Sequence, residues 1–514
     1  MAPAPHVVAR WGRVGVLRSP VAVAATLLAM LLVPMLVALT VVAPVGADPV
    51  SADPLGTGTD PGVETSLATP VLSARRIPGL LQDQAATVAL ANRLDPLVDD
   101  LPPSTCVAVD TVGGIAYRHQ GSLPLVPAST MKLVTSAVAL EVLGDDHRTP
   151  TVVVAERPPV GGVIDGDLWI VGGGDPLLAT TGYAASLFGA PDRTVSPFED
   201  LAQALVAAGV TQVTGSIRGD DSRHDAERRV ATWPDSYLEG DTVGALGALR
   251  VNSGRIGWVA TPDEAGAGGG PGDPAVLAAA TLTTLLKDAD VGVDGRPGRG
   301  VAPPSGAIVA SVDGPTMVEV LDEVNAWSNN GASELLLKEI ALASGGEPTT
   351  TAGAAVVAQE LAAWGLPSEG IRIVDGSGLD PGNGLTCDLL AGVIDRELTT
   401  SGGESLLLAS LAVAGERGTL TYRPLPPGPG GRVVAKTGSL NEVRSLAGVA
   451  IDRNGDQTVF AVVANGELGD PRLDAALVDA IAAELTRPLA LLPLQDLGPL
   501  PVRAGGGPAP LAAS

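Results

Sequence analysis

Three short motifs in this sequence bring together side chains suited to acyl transfer: Ser129-Thr-Met-Lys132, Ser328-Asn-Asn330 and Lys436-Thr-Gly438. A serine hydroxyl attacks a carbonyl only when a base takes its proton. A lysine amine can be that base if burial or a nearby cation lowers its pKa, whereas a guanidinium cannot. The chain has only four lysines, Lys132, Lys287, Lys338 and Lys436, among 32 basic residues, and two of them fall in these motifs. Lys436 could act as the nearby cation. With Thr437 it offers a charge and a hydroxyl to a carboxylate, and Gly438 would let a substrate backbone approach closely. Ser328 and Asn330 could set a hydroxyl and an amide beside the nucleophile. Singly, each motif has a bland reading: a helix start with a solvated lysine, a capping turn, and a strand end. The order in which all three occur carries the chemical reading.

Positioning these groups requires particular elements. A spacing of three on a helix puts Ser129 and Lys132 one turn apart on one face. Leu133, Val134, Ala137, Val138 and Val142, with Gly144 as a stop, predict a helix over 129–143. Its N-terminal N–H groups and dipole would lie at Ser129. Residues 432–436 predict a strand, and 444–452 and 457–465 predict a hairpin turned by Asn454-Gly455. Further helices are expected over 79–94, with Pro96 as its stop, 315–327, 332–343, 352–364, 386–398 and 473–485. A strand hairpin is expected over 106–117.

Between about 150 and 310 the texture changes to short β-like runs split by Gly and Pro. One helix is well signalled there, with Ser196 as N-cap, Pro197 at N1 and Glu199 completing a capping box. The expected organisation is α/β (α+β). An antiparallel sheet flanked by helices is built from residues 81–150 and 313–488, and 151–312 form an inserted strand-rich domain. Residues 48–80 read as a flexible linker, 265–273 as a glycine-rich loop and 489–514 as a low-complexity tail.

The 514-residue chain carries 57 acidic and 32 basic residues, a net charge of −25. Such a surface repels phosphate backbones and argues against nucleic acid as a partner. A hydrophobic fraction of 45% excludes general disorder. The two cysteines and four histidines show no metal-ligand spacing, so no metal is expected. Arg10, Arg13 and Arg18 precede an apolar run over 21–43 that ends in Val45-Gly-Ala47. This describes an export signal over 1–47, either cleaved after Ala47 or retained as a membrane anchor. Both alternatives put the remainder in the extracytoplasmic cell-wall space. Cys106 and Cys387 are the only pair available for a disulfide, two buried thiols being the alternative.

In its motif triplet the sequence resembles the class C low-molecular-mass penicillin-binding proteins, exported D-alanyl-D-alanine carboxypeptidases/endopeptidases. The segments VPASTMKLVTSAVALEVLG, GDDSRHD, SNNGASELLLKEI, DGSGLD, LAVAGERGTL and AKTGSLNEVRSLAGVA carry the resemblance. It implies a penicillin-binding-protein/β-lactamase-like transpeptidase fold and a cofactor-free serine peptidase acting on peptidoglycan stem peptides, with β-lactams as covalent inhibitors. It further implies Ser129 as nucleophile, Lys132 as base and Ser328 as proton relay. Asn330, Lys436, Thr437, Gly438 and Ser439 would bind substrate, and the N–H groups of Ser129 and Ser439 would form the oxyanion hole. Asp380 departs from the family pattern, which has Ser after DGSGL. Asp375–379 is expected to shape a loop near the site, and Lys338, His224, Asp220 and Asp221 to be structural or turn residues. Two alternatives stand beside this reading: a β-lactamase or esterase of the same fold, and a non-catalytic peptidoglycan-binding protein.

Overall fold

The computed structural model describes residues 78–111, 116–186, 193–239, 242–255, 272–401, 404–425 and 432–488. The leader or anchor over 1–47, nearly all of the linker over 48–80, most of the stretch 265–273 and the tail over 489–514 lie outside the described residues. Helix α1 (Pro78–Asp99) leads into β1 (Ser104–Thr111), β2 (Ala116–His119) and α2 (Met131–Leu143). There follow β3 (Thr151–Ala155), β4 (Leu168–Val171), α3 (Glu199–Ala207), β5 (Ile217–Asp220), α4 (Pro274–Asp288), β6 (Gly298–Arg299) and β7 (Ala307–Val312). Four helices come next, α5 (Met317–Asn325), α6 (Asn330–Ala343), α7 (Thr350–Ala363) and α8 (Cys387–Thr400). The chain closes with β8 (Ala412–Val413), β9 (Val433–Leu440), β10 (Val443–Ile451), β11 (Gln457–Asn465) and α9 (Ala475–Leu485).

The site rests on a six-stranded sheet in the order β8-β9-β10-β11-β1-β2, antiparallel throughout. Alternate residues of β11 divide between two cores. Val459, Ala461 and Val463 pack with apolar residues of α2 and α5 to α8, while Phe460, Val462 and Ala464 pack with those of α1 and α9. Burial on both faces explains why this strand is a continuous apolar run rather than an alternating one. Each fully buried Val or Phe contributes about 1.5–3 kcal/mol, so the strands beneath the site are well fixed. Cys106 of β1 and Cys387, the first residue of α8, form a disulfide between the sheet and that helical layer.

Helix α1 does not stop before Pro96; the proline lies inside it. Leu94 and Val98 on either side are both buried in the second core. That burial outweighs the single helical hydrogen bond a proline forgoes.

Residues 151–312 supply a separate five-stranded mixed sheet, β6-β5-β4-β3-β7. Its two parallel pairings are β6·β5 and β5·β4, and the remaining pairings are antiparallel. Val153, Ile170, Ile217 and Ala310 form its core with Leu201 of α3 and Leu282 of α4. Ser196 does not cap α3. It pairs in a two-residue strand, and Phe198 precedes the helix without a side-chain cap. Helix α4 was not among the expected elements. It is buried around nearly its whole circumference and so shows no amphipathic stripe. The readable signal was Asp273-Pro274, in which Asp273 accepts from the Ala275 and Val276 N–H groups at 2.9 and 3.3 Å.

Candidate active site

Ser129 lies in a single 3₁₀ turn, Ala128–Thr130, that feeds directly into α2. Ala128 has φ +49°, a left-handed conformation that is strained for a residue with a side chain. Strain of this kind persists only when packing over-determines it, and here the turn is wedged against β9. Ser445 Oγ donates to Pro127 O at 2.7 Å. A Cβ at Gly438 would lie 2.1 Å from Ser445 Oγ and 3.0 Å from Ser129 N. Gly438 is therefore required by the turn that carries Ser129, which packs against this position.

One helical turn on, Lys132 is fully buried. Its Nζ stands 3.0 Å from Ser129 Oγ, 2.7 Å from Asn330 Oδ1 and 2.7 Å from Ser377 O. The Ser328-Asn-Asn330 motif divides its work. Asn329 caps α6, accepting from Ala332 N at 3.0 Å, which frees its two neighbours for the cleft. Asn330 turns its oxygen to Lys132 and donates through Nδ2 to Thr242 O at 2.8 Å. Ser328, at φ +60°, accepts from Lys436 Nζ at 2.9 Å.

Lys436 is also fully buried, and its second bond goes to Thr437 O at 2.9 Å. Its charge therefore reaches the cleft through Ser328 instead of projecting into it. Thr437 Oγ1 is held by Thr419 Oγ1 at 2.8 Å. The cleft has a volume of about 710 Å³, and Ser129, Ser328, Asn330, Thr437 and Ser439 line it together with Tyr237, Thr242, Thr419 and Arg444. Every motif residue expected at the site either lines this cleft or lies directly beneath it.

Burial pushes the Lys132 amine down to about 7, against the opposing pull of Asp375 and Glu334. Lys436 is held well below the usual lysine range, by burial first and by repulsion from Lys132 second. Of the two causes the sequence left open for Lys132, burial and a neighbouring cation, the dominant one is burial. On the far side of Lys132, burial and then Asp375 raise Glu334 to about 8. Asp375 accepts from Trp233 Nε1, Asn383 Nδ2, Gly378 N and Asp380 N, all at 2.7–2.8 Å.

The sequence did not single out Ser377 O, Glu334, Thr242, Tyr237, Thr419 or Arg444. Ser377 acts through its carbonyl, which no side-chain pattern reports. Thr242 and Tyr237 belong to the 151–312 segment, far from the motifs in sequence. Asp380 accepts a hydrogen bond from Thr232, also of that segment.

The structure does not bring Lys338 or His224 into the cleft: Lys338 is a buried structural residue, in keeping with expectation, and His224 is buried and does more than shape a turn. Lys338 is buried on α6 with Nζ 2.5 Å from Asp225. His224 Nε2 lies 2.7 Å from Glu339, which also holds Arg223. Asp220 accepts from Ser222 N in a local turn, and Asp221 pairs with Arg228 and Arg299. Among the described residues, no group of three or more His, Cys, Asp or Glu could hold a metal ion. None of the described helices is long and apolar enough to cross a membrane.

Residues 92–269 and 271–486 match the D-Ala-D-Ala carboxypeptidase 3 (S13) family. The chain is 29% identical over 470 residues to a D-alanyl-D-alanine carboxypeptidase of an Actinomadura species, covering 76% of this chain and 82% of that relative. It is 29% identical over 431 residues to carboxypeptidase DacB of Mycolicibacterium smegmatis, covering 81% and 86%. Among solved structures, it is similar to penicillin binding protein 4 of Haemophilus influenzae. The TM-score is 0.62 at 19% identity, with 76% of this chain and 98% of the other covered. That likeness identifies the fold, in which an antiparallel sheet is flanked by helices.

Proposed function

The chain belongs to the D-Ala-D-Ala carboxypeptidase 3 family, and on that premise we propose how this serine DD-peptidase uses its cleft. Ser129 attacks the carbonyl of the penultimate D-alanine in a peptidoglycan stem peptide or crosslink, and Lys132 takes the hydroxyl proton. A neutral amine offers two N–H bonds and one lone pair. Asn330 Oδ1 and Ser377 O are acceptors only, so they take the two N–H bonds at 2.7 Å. The lone pair is left for the Ser129 hydroxyl at 3.0 Å. This partition of the three directions around Nζ is the observation that supports the reading most.

The tetrahedral anion is stabilised by the N–H groups of Ser129 and Ser439, donors fixed in place before charge develops. Ser328, held by Lys436, passes the proton to the departing amine. Thr437 and Ser439 receive the terminal carboxylate, with Arg444 on the same wall and Lys436 behind Ser328. Water then hydrolyses the acyl-enzyme. A β-lactam enters the same cycle through its ring carbonyl and remains as the covalent acyl group. The Haemophilus influenzae protein has been solved in complex with a novel β-lactam, and by similarity we extend β-lactam binding to this chain.

We place the enzyme outside the cytoplasm and treat 151–312 as an insertion in the catalytic domain. A disulfide joining two buried cysteines suits an oxidising compartment, and the insertion has its own sheet and core. Labelling with a fluorescent penicillin tests the catalytic reading. Wild type should form a stable adduct that Ser129→Ala lacks; an unlabelled wild type, or a labelled variant, would remove Ser129 as the nucleophile.

A further inference from the structure

Beneath Lys132 lies a buried acid that the proposed mechanism does not use. Glu334 sits on α6 one turn after Asn330 and is fully buried. Its Oε1 accepts from Gly376 N at 3.1 Å and Ser377 N at 2.8 Å. The Ser377 residue is thereby gripped on one side by Glu334 while its carbonyl meets Lys132 Nζ on the other. The preceding carbonyl, Gly376 O, is pinned by Thr135 Oγ1 at 2.8 Å and Ser333 Oγ at 2.7 Å. Glu334 Oε2 is buried with no hydrogen-bond partner among the described residues.

We propose that Glu334 is a positioning residue working as a neutral carboxylic acid: it aims the Ser377 carbonyl at Lys132 and withholds a second negative charge from beneath the base. The inference rests on Lys132 being the base, as proposed above.

A buried carboxylate oxygen with no donor is far costlier than the same oxygen in a neutral acid. Asp375 faces the opposite situation, with four donors on its two oxygens. Of the two carboxyls, Asp375 is therefore the one built to carry charge. Lys132 and Asp375 face Glu334. Lys338, one turn further along α6, is committed to Asp225, and Lys436 lies beyond Lys132 on Ser328. Burial pushes Asp375 up as well, but its four donors pull the other way and favour its charged form, whereas Glu334 keeps one bare oxygen. A second carboxylate would draw a proton onto Lys132 and occupy the lone pair that Ser129 needs. The upward displacement of Glu334 by burial and by Asp375 agrees with this arrangement.

The test uses the isosteric variant Glu334→Gln, which keeps one acceptor oxygen and neutrality. At neutral pH the infrared difference spectrum, wild type minus E334Q, should contain the C=O stretch of a protonated carboxylic acid. E334Q should acylate with penicillin within about threefold of wild type, with the acidic limb of the pH–rate profile in place. Glu334→Ala releases Ser377 and should slow acylation about 100-fold while displacing that limb. A missing protonated-carboxyl band overturns the proposal. So does an acidic limb in E334Q that moves down by about one pH unit or more, or an E334A enzyme with wild-type rate and profile. The infrared readout does not depend on labelling. A wild type that fails to label but shows the band would overturn the catalytic reading above and leave the neutral acid intact.

Discussion

Lys132 should impose a rising pH dependence on acylation, and replacing it with arginine should abolish the reaction. The base must be neutral to accept the Ser129 proton, so activity follows the unprotonated fraction. Burial lowers this amine from 10.5 to about 7, a difference equivalent to about 5 kcal/mol. At pH 7 that raises the neutral fraction about 10³-fold over an ordinary lysine. Acylation by a fluorescent penicillin, followed as a second-order rate constant from about pH 5 to 9, should climb roughly tenfold per unit below pH 7 and then level off. Lys132→Arg keeps the charge but cannot release a proton, and the rate should fall by about 10³–10⁴. Circular dichroism would establish that the variant is folded. A rate constant independent of pH over that range, or an arginine variant within tenfold of wild type, would refute the general-base argument.

Two further outcomes follow from the packing. Gly438→Ala places a methyl against Ser445 Oγ and Ser129 N. It should cost about 1–3 kcal/mol by overpacking and slow acylation; thermal melts and labelling rates check both, and an unchanged rate would show that the turn yields freely. Removing the Cys106–Cys387 bridge by double serine substitution opens a closed loop of 281 residues. The expected loss is about 2–5 kcal/mol, measured by urea unfolding, and an unchanged midpoint would remove the bridge as a source of stability.

Much of the site was legible because its motifs are local. Ser129 and Lys132 meet across one helical turn, and Lys436 to Ser439 share one strand, so spacing alone relates their side chains. The hairpin at Asn454-Gly455 and helices α5 to α9 were readable for the same reason. Pattern misled where burial overrode local preference, as when α1 ran through Pro96 and α4 hid its helical period under apolar residues on all sides. At Gly438 the sequence suggested room for a substrate backbone, and the fold adds a constraint of its own. That constraint is a backbone segment more than 300 residues earlier in the chain, with Ser445 and Pro127 separated by 318 positions.

The sequence by itself determined which residues can do chemistry, since only a lysine at 132 can shed a proton and only a hydroxyl at 129 can take an acyl group. It could not determine that the Lys132 amine would be pushed down to about 7. The groups holding its amine come from 198 and 245 residues away, at Asn330 and Ser377. The low pKa is a property of everything that excludes water from that amine. Desolvation has no sequence motif, because it is set by the summed packing of distant elements around one atom. The same holds for the carboxyls beneath it: Glu334 and Asp375 are ordinary acids on the page, and only the fold gives one four donors and leaves the other with a bare oxygen.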